Sequence, residues 1–407
     1  MKKVFIIGAG ASGLAASIIA SKNYNVTVFE KNSKPGKKLL ITGNGKCNYW
    51  NENQDINNYH SSGDYTKIVN QMNLVKAHAF LDKMGIIPFI KNGYYYPNSQ
   101  QSISVVNALF DEAINNNVNF IYEEVIDVTK ENNKFILNTN SGTYESDFLI
   151  VATGGKAAPK TGSDGFGYKI AEKFGHKIIT PLPALVGLEV EENIKELSGI
   201  RLISEVNLLI NNKLIQKELG EVQFNDYGFS GIPVLQLSSK AIKALDDNKN
   251  VFISINLLPN IADDILGLRS FLKVQDKHLN NKSISQILDQ LFNYKLSNYL
   301  LKISKIDSNA KIEKLSNDEL DLLCHNILNF NFKIIKDHGF DNAQTTSGGV
   351  DLKEINLDTL ESLKVKGLYF CGEVLDVDGA CGGYNLSFAW TSGLIAGEIR
   401  GDVNASN

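Results

Sequence analysis

MKKVFIIGAGASGLAASIIASKNYNVTVFE, residues 1–30, decides the fold. The apolar run Val4–Ile7 reads as a buried strand. Gly8, Gly10 and Gly13 follow it at G-x-G-x-x-G spacing and open the helical pattern LAASIIASK. In such a unit Gly8 makes the tight turn, Gly10 lets backbone approach a diphosphate, and Gly13 allows close helix–strand packing. The diphosphate rests on the free N–H groups at the positive helix end. A second strand, NVTVFE, ends on Glu30, a carboxylate placed to accept hydrogen bonds from adenosine ribose hydroxyls. The opening lysines, apolar run and small residues could also pass for a secretory signal. Three glycines in six residues weaken a signal helix, and no cleavage site explains the second strand. The expectation is a cytoplasmic protein.

The 407 residues are 43% hydrophobic and 21% charged, with a formal net charge of −4. That composition supports a large core and excludes disordered, collagen-like and disulfide-stapled classes. A mildly acidic balance lacks the electrostatic footprint of a nucleic-acid binder. No stretch reaches the roughly 18 apolar residues of a membrane span. The expected partner is therefore a small-molecule substrate, with neither nucleic acid nor membrane; oligomeric state is left open. The cations include only three arginines, Arg201, Arg269 and Arg400, so a charged ligand would rely on lysine or on backbone amides. Cys47, Cys324, Cys371 and Cys381 form no C-x-x-C, and no histidine stands at metal-ligand spacing to them. No metal site is expected.

Along the chain, a Gly/Lys-rich loop covers Pro35–Asn48, helices are expected over 65–85 and 101–116, and a hairpin turns at Asn92–Gly93. Ser99 or Ser102 is expected to cap the second helix. From 119 to 152 short β-rich runs turn at Asn132–Asn133 and Ser141–Gly142 and return to a buried strand. The texture changes over 186–342: four strand-like runs precede a helical stretch rich in Leu, Ile and Lys. The domains are therefore 1–185 and 343–407, forming one nucleotide-binding domain, with 186–342 inserted on the substrate side.

The N-terminal fingerprint alone does not separate FAD from NAD. The C-terminal segment does. GLYFCGE reads as a strand ending at Gly372–Glu373, followed by the turn Asp376–Asn385 and the helix LSFAWTSGLIAGEI. A second glycine-rich strand-to-helix turn suits a cofactor long enough to span two sites, and its helix N-terminus would face the flavin pyrimidine edge.

Three segments, GKKLLITGNGKCN (36–48), TSGGVDLKE (346–354) and GLYFCGEVLDVDGACGGYNLSFAWTSG (367–393), resemble the BaiN-like flavoproteins. Members of that family are described as NAD(P)/FAD-dependent or aminoacetone-oxidase-family oxidoreductases. The resemblance implies an α/β, glutathione-reductase-like (Rossmann-type) FAD-binding domain interrupted by a β-barrel-plus-helices insert. It implies that Gly8, Gly10, Ala11, Ser12, Gly13, Glu30 and Lys31 hold the ADP half of FAD. Lys38, Leu39, Thr42, Gly43, Gly45, Lys46, Cys47 and Asn48 would line the pyrophosphate, ribityl chain and ring. Val125 would contact adenine through its backbone, and Ala152, Thr153, Gly154 and Gly155 would pass beneath the nucleotide. Gly372, Glu373, Asp378, Gly383, Tyr384, Asn385 and Leu386 would close over the flavin. This chain departs from the family pattern at Lys37 and Lys46, where Arg is usual, and at Asn44 and Phe166.

By the resemblance Cys47, Cys371 and Cys381 fall in flavin-facing motifs, but without redox-pair spacing they read as small apolar packing. GFSGIP (228–233) is one residue short of a hydrolase elbow, and Ser230 reads as the cap of a helix near Ile232. The expected activity is an FAD-dependent oxidoreductase: hydride passes from NAD(P)H, a transient reductant, to flavin and on to a substrate, which the resemblance implies is a small hydrophobic unsaturated carbonyl compound. Tyr384 and the hairpin tyrosines around Tyr95 are candidate proton donors. The alternatives are an oxygen-using amine or amino-ketone oxidase and a flavin-dependent RNA-modifying enzyme.

Overall fold

The computed structural model describes residues 1–279 and 282–400. The chain divides into two compact units: Met1–Ala184 with the segment from Phe340 onward, and Leu185–Gly339.

The first unit is built on five parallel strands. β1 (Lys3–Ile7) is central and β2 (Asn25–Phe29) follows it through α1 (Ala11–Ala20). β3 (Asn119–Ile121), β4 (Phe148–Val151) and β5 (Leu368–Phe370) complete the sheet in the order β5-β4-β1-β2-β3. β1 and β4 are near-continuous apolar runs because both faces of a parallel sheet are covered. The final helix, α2 (Tyr384–Gly397), packs on α1 at very short range. A Cβ on Gly393 would stand 2.5 Å from the Ser12 carbonyl oxygen, and one on Gly397 2.6 Å from that of Ala16.

A three-stranded antiparallel meander, Val125–Glu131, Lys134–Thr139 and Thr143–Ser146, precedes β4. Its first turn puts Asn132 and Asn133 at φ 49° and 64°, the left-handed pair a two-residue hairpin needs. Asn92 and Gly93 do the same (φ 53° and 79°) between Pro88–Lys91 and Tyr94–Pro97.

Local expectations fail in four places, each for a stated reason. The Pro35–Asn48 loop contains a helix, Lys37–Gly45, broken where Thr42 turns extended and Gly43 and Asn44 turn left-handed. The helix expected over 65–85 is Gln71–Lys83, because the Asn70 side chain accepts from Asn73 N–H and sets its start. Ser102 begins its helix without capping it; its hydroxyl donates to Leu40 O at 2.8 Å, and Gln101 is the N-cap. Ser230 accepts from the Asn225 amide at 2.9 Å, and Gly231 is the N-cap of Ile232–Asp246.

The second unit is a closed six-stranded barrel. Its order is Leu188–Val190, Gly228–Ser230, Lys213–Phe224, Arg201–Ile210, Val251–Asn256 and Phe330–Asp337, closed by Leu188 opposite Asp337. Period-two alternation turns Val206, Leu208, Ile253, Ile255, Phe330 and Phe332 inward. Phe224 meets Phe229 edge-on, as Phe330 meets Phe332, and Phe229 and Phe332 pack tilted between the two pairs. Helices Ile265–His278, Ile284–Leu288, Tyr294–Ile303 and Asn317–Leu328 complete this unit. Among the described residues no helix is long and apolar enough to cross a membrane.

Candidate active site

The parallel register brings four chain turns to one edge. Ile7 lies opposite both Phe29 and Val151, and Val151 opposite Phe370. The residues after these strands, Gly8, Glu30, Ala152 and Cys371, therefore line up at the carboxyl edge of the sheet, where open α/β folds bind ligands. Gly8 N–H donates to Phe29 O, Ala152 N–H to Ile7 O and Cys371 N–H to Val151 O, so the edge is rigid.

The three glycines of the first turn are constrained differently. Gly8 has φ +103°, and a Cβ there would meet Ala152 O at 2.5 Å. A Cβ on Gly13 would lie 1.9 Å from Gly8 O. Gly10 has nothing within 4 Å of its would-be Cβ, so the protein itself does not demand glycine there. A backbone left bare at a helix N-terminus, beside a buried carboxylate, fits a diphosphate–ribose group. Glu30 is that carboxylate. Ala9 N–H donates to one of its oxygens at 2.9 Å, and Asn32 donates through backbone and amide to the other at 2.8 and 2.7 Å. Lys31 pairs with Asp164 at 2.6 Å, tying this edge to the loop after β4.

That loop begins Ala152–Thr153–Gly154–Gly155. Gly154 is left-handed (φ +74°) against Ser163, and Gly167 leaves no room beside the Thr153 hydroxyl. Gly155 packs against Thr346 and Glu373. Thr346 Oγ1 donates to Glu373 Oε1 at 2.9 Å and accepts from the N–H groups of Lys156 and Ala157. Glu373 in turn holds Lys38 Nζ at 2.8 Å. Lys38, Gly155 and Glu373 are thus joined, and Thr346 is the hub. Thr346 opens the TSGGVDLKE segment, but its place as a hub was not readable there, because its partners lie far from it along the chain.

The broken helix shapes the opposite wall. Thr42 Oγ1 donates to Leu39 O, and Cys47 N–H returns to Thr42 O at 2.9 Å. Gly45 and Cys47 are both left-handed, at φ 80° and 57°. Lys46 is largely exposed and Asn48 half-buried; the Asn48 amide donates to Tyr95 O and Trp50 O. Burial pushes the Cys47 thiol up to about 12, against an opposing hydrogen bond to Thr42, and burial likewise pushes Cys371 up to about 12. The Tyr95 ring stands edge-on between Tyr49 and His78. Val125 lies at the start of the meander, opposite Thr139, four residues beyond β3.

Gly372 (φ +75°) sits against the Ser12 hydroxyl, and its N–H donates to Ser392 Oγ at 2.9 Å. Asp376 and Asp378 are buried on the way to α2. Gly383, the N-cap of α2, is left-handed and backs onto the Trp50 main chain, while Asn51 donates to Gly382 O. Asn385 folds back on the turn, accepting from Gly379 N–H and donating to Gly379 O; Leu386 is half-buried. Tyr384 is buried, and its hydroxyl donates to Asn53 O at 2.6 Å and accepts from the Asn58 amide. Burial raises its pKa. The first turn of α2, with its N–H groups lacking intrahelical acceptors, thus stands near the Cys47–Trp50 segment.

A family profile described as "HI0933-like protein Rossmann domain" matches residues 2–399. The chain is 34% identical over 412 residues to the 3-dehydro-bile acid delta(4,6)-reductase of Clostridium scindens, covering 99% of this chain and all of that one. It is 31% identical to the ribosomal RNA dihydrouridine synthases of Escherichia coli and Haemophilus influenzae, covering 95% of both chains in each case. Among solved structures, a mutant form of the quinol fumarate reductase subunit FrdA of E. coli shares the fold, with a TM-score of 0.50 and 14% identity. That likeness covers 100% of this chain and 72% of FrdA.

Proposed function

The chain belongs to the HI0933-like family of FAD-dependent oxidoreductases, and from that premise we propose that it saturates a carbon–carbon double bond conjugated to a carbonyl in a small hydrophobic substrate, with NAD(P)H as reductant. One observation carries the reading. A delta(4,6)-reductase of a 3-dehydro compound and a dihydrouridine synthase, by their names, both reduce a ring double bond conjugated to a carbonyl. FAD, when bound, supplies a two-electron carrier able to accept hydride and pass it on.

The chain's own groups supply the rest. Gly8, Gly10 and the N-terminus of α1 would hold the diphosphate, and Glu30 the ribose. The Thr42–Asn48 and Asp378–Leu386 segments would flank the ring, with the positive end of α2 countering negative charge at the pyrimidine edge. Lys38 and Glu373, locked to each other, would keep the two walls at fixed spacing. Cys47, Cys324 and Cys371 are free thiols, which suits a reducing cytoplasm.

A ribosomal RNA substrate is the second reading, favoured by the names of two relatives. Acidic residues slightly outnumber lysine and arginine within 185–339, which weighs against a phosphate backbone as partner and for a small molecule. Anaerobic visible spectra test the choice. We expect NADH or NADPH to bleach the flavin band, and a 3-keto-4,6-diene steroid or cyclohexenone to restore it. A band bleached by neither, with peroxide formed from an amine or amino ketone in air, overturns the reductase in favour of an oxidase. Restoration by ribosomal RNA and by no enone moves the substrate to RNA.

A further inference from the structure

Saturating a conjugated double bond takes a hydride at the β-carbon and a proton at the α-carbon. We propose that His60, oriented by the buried carboxylate of Asp378, delivers that proton. The inference rests on the proposed reduction of a conjugated carbonyl.

The short strands Tyr59–His60 and Asp378–Gly379 pair antiparallel with His60 opposite Asp378, and Ala380 N–H donates to Asn58 O. This lays His60 on the segment that leads through residues 380–383 into α2, the helix end assigned to the flavin ring. Facing residues of an antiparallel pair share a side of the ribbon. His60 Nδ1 accordingly stands 3.5 Å from Asp378 Oδ2. Nδ1 is buried and without a hydrogen-bond partner, while 39% of the His60 side chain is exposed against 2% of Asp378. One edge of the ring faces a carboxylate within the protein, and the exposed part of the ring lies away from it. A general acid needs this arrangement: an orienting partner behind it and access for a fresh proton in front. A contact that is long without substrate is ordinary for such a pair, which tightens when the complex forms.

Other hydrogen-bearing groups nearby are worse placed. Tyr384 commits its proton to Asn53 O and has 4% of its surface exposed, so it cannot be reloaded easily. The Cys47 and Cys371 thiols are fully buried, and their anions would be costly. Asp376 is taken up by the Ser62 N–H and hydroxyl. In the balanced step, hydride brings its electron pair from the reduced cofactor to the β-carbon. The π pair moves toward the α-carbon and carbonyl oxygen, and the His60 Nε2 proton forms the new α-carbon–hydrogen bond. Water then reprotonates the ring.

The test uses the full chain loaded with FAD, as wild type, His60→Gln, Asp378→Asn and Tyr94→Phe. Each is reduced anaerobically with NAD(P)H and mixed with a 3-keto-4,6-diene steroid. We expect His60→Gln to keep FAD affinity and the rate of bleaching, and to lose about 100-fold or more in the rate of reoxidation by the steroid. Asp378→Asn should slow the same step less. A second readout uses the flavin-free protein: ¹⁵N spectra of the histidine rings, with His60 identified by its loss in His60→Gln. Asp378→Asn should move its two ring-nitrogen shifts. The proposal is overturned if His60→Gln reoxidises at the wild-type rate, if Tyr94→Phe loses more than His60→Gln, or if Asp378→Asn leaves the His60 shifts in place. A wild type that no conjugated carbonyl reoxidises brings down the proposed function and this inference together; a wild type that turns over beside an equally fast His60→Gln brings down the inference alone.

Discussion

Gly10 and Gly13 stand three residues apart and answer to different demands. A methyl on Gly13 would sit 1.9 Å from a backbone oxygen that cannot move without dismantling the turn. Gly13→Ala should therefore lose about 3 kcal/mol of stability, the upper end for overpacking, with or without FAD. A methyl on Gly10 meets no protein atom. Gly10→Ala should unfold in denaturant within about 1 kcal/mol of wild type, yet bind FAD at least tenfold more weakly in a fluorescence titration. Equal FAD affinity would remove the diphosphate from that turn. Asp376 supplies a pH-dependent case. Burial, reinforced by the Asp378 charge and opposed by the Ser62 bonds, raises its pKa above the ordinary 3.8. The folded protein therefore holds a proton that the unfolded chain has already released, so this residue's contribution is best at low pH and falls as pH rises past 3.8 through the folded value. Asp376→Asn keeps an oxygen for Ser62 and escapes the fall. Its urea midpoint relative to wild type should be higher at pH 7 than at pH 4, and the reverse order would show that burial is not the dominant cause. Residues whose packing is set by local backbone, such as Gly8 and Gly13, were readable from spacing. Thr346 and His60 were not, because their partners, Glu373 and Asp378, come from distant parts of the chain.

At the level of elements, the legible features were those with a local cause. The left-handed turn residues of Asn92–Gly93 and Asn132–Asn133 carry their own conformational preference, so both hairpins stood in the sequence. The helix Lys37–Gly45 did not, because its break at Thr42–Asn44 mixes helical and left-handed residues in one short glycine-rich stretch. The most consequential hidden feature is the crossing of α1 and α2. GLIAG (393–397) reads only as part of an apolar helix until its partner is known. In the fold, Gly393 and Gly397 press on the main chain at Ser12 and Ala16. This contact fixes the helix of the first glycine turn against the helix of the second, so it sets the span between the two ends of the proposed FAD site. Gly393→Ala should cost about 2–3 kcal/mol in chemical denaturation, because the obstructing atom is a backbone oxygen. It should also weaken FAD binding, because Gly393 presses on Ser12, in the first turn of the helix that starts at the carboxyl edge. An unchanged midpoint would mean that the two helices separate without penalty.

On the scale of the whole chain, the question is whether the cofactor groove depends on the inserted unit at all. Each unit is closed at the point where the chain passes between them. In the nucleotide-binding unit Ala184 lies opposite Thr345 in an antiparallel pair, and Ala158 N–H donates to Phe340 O, so each cut end is held by bonds within this unit, and one is paired five residues from the other. In the barrel unit His338 N–H donates to Gly187 O, which brings its two ends together as well. The residues proposed to hold FAD, from Gly8 to Glu373 and Leu386, all lie in the first unit. Removing 185–339 and joining Ala184 to Phe340 through a short Gly/Ser linker closes a small loop, whose entropic cost grows only slowly with length. The shortened protein should fold, bind FAD within about tenfold of the full chain and bleach with the same nicotinamide, but fail to pass hydride to the steroid. The excised barrel, 185–339, should fold without FAD, since its phenylalanine core is complete in itself. If the shortened protein instead loses FAD, the groove borrows support from the insert, and the boundary drawn by contacts is not a boundary of stability.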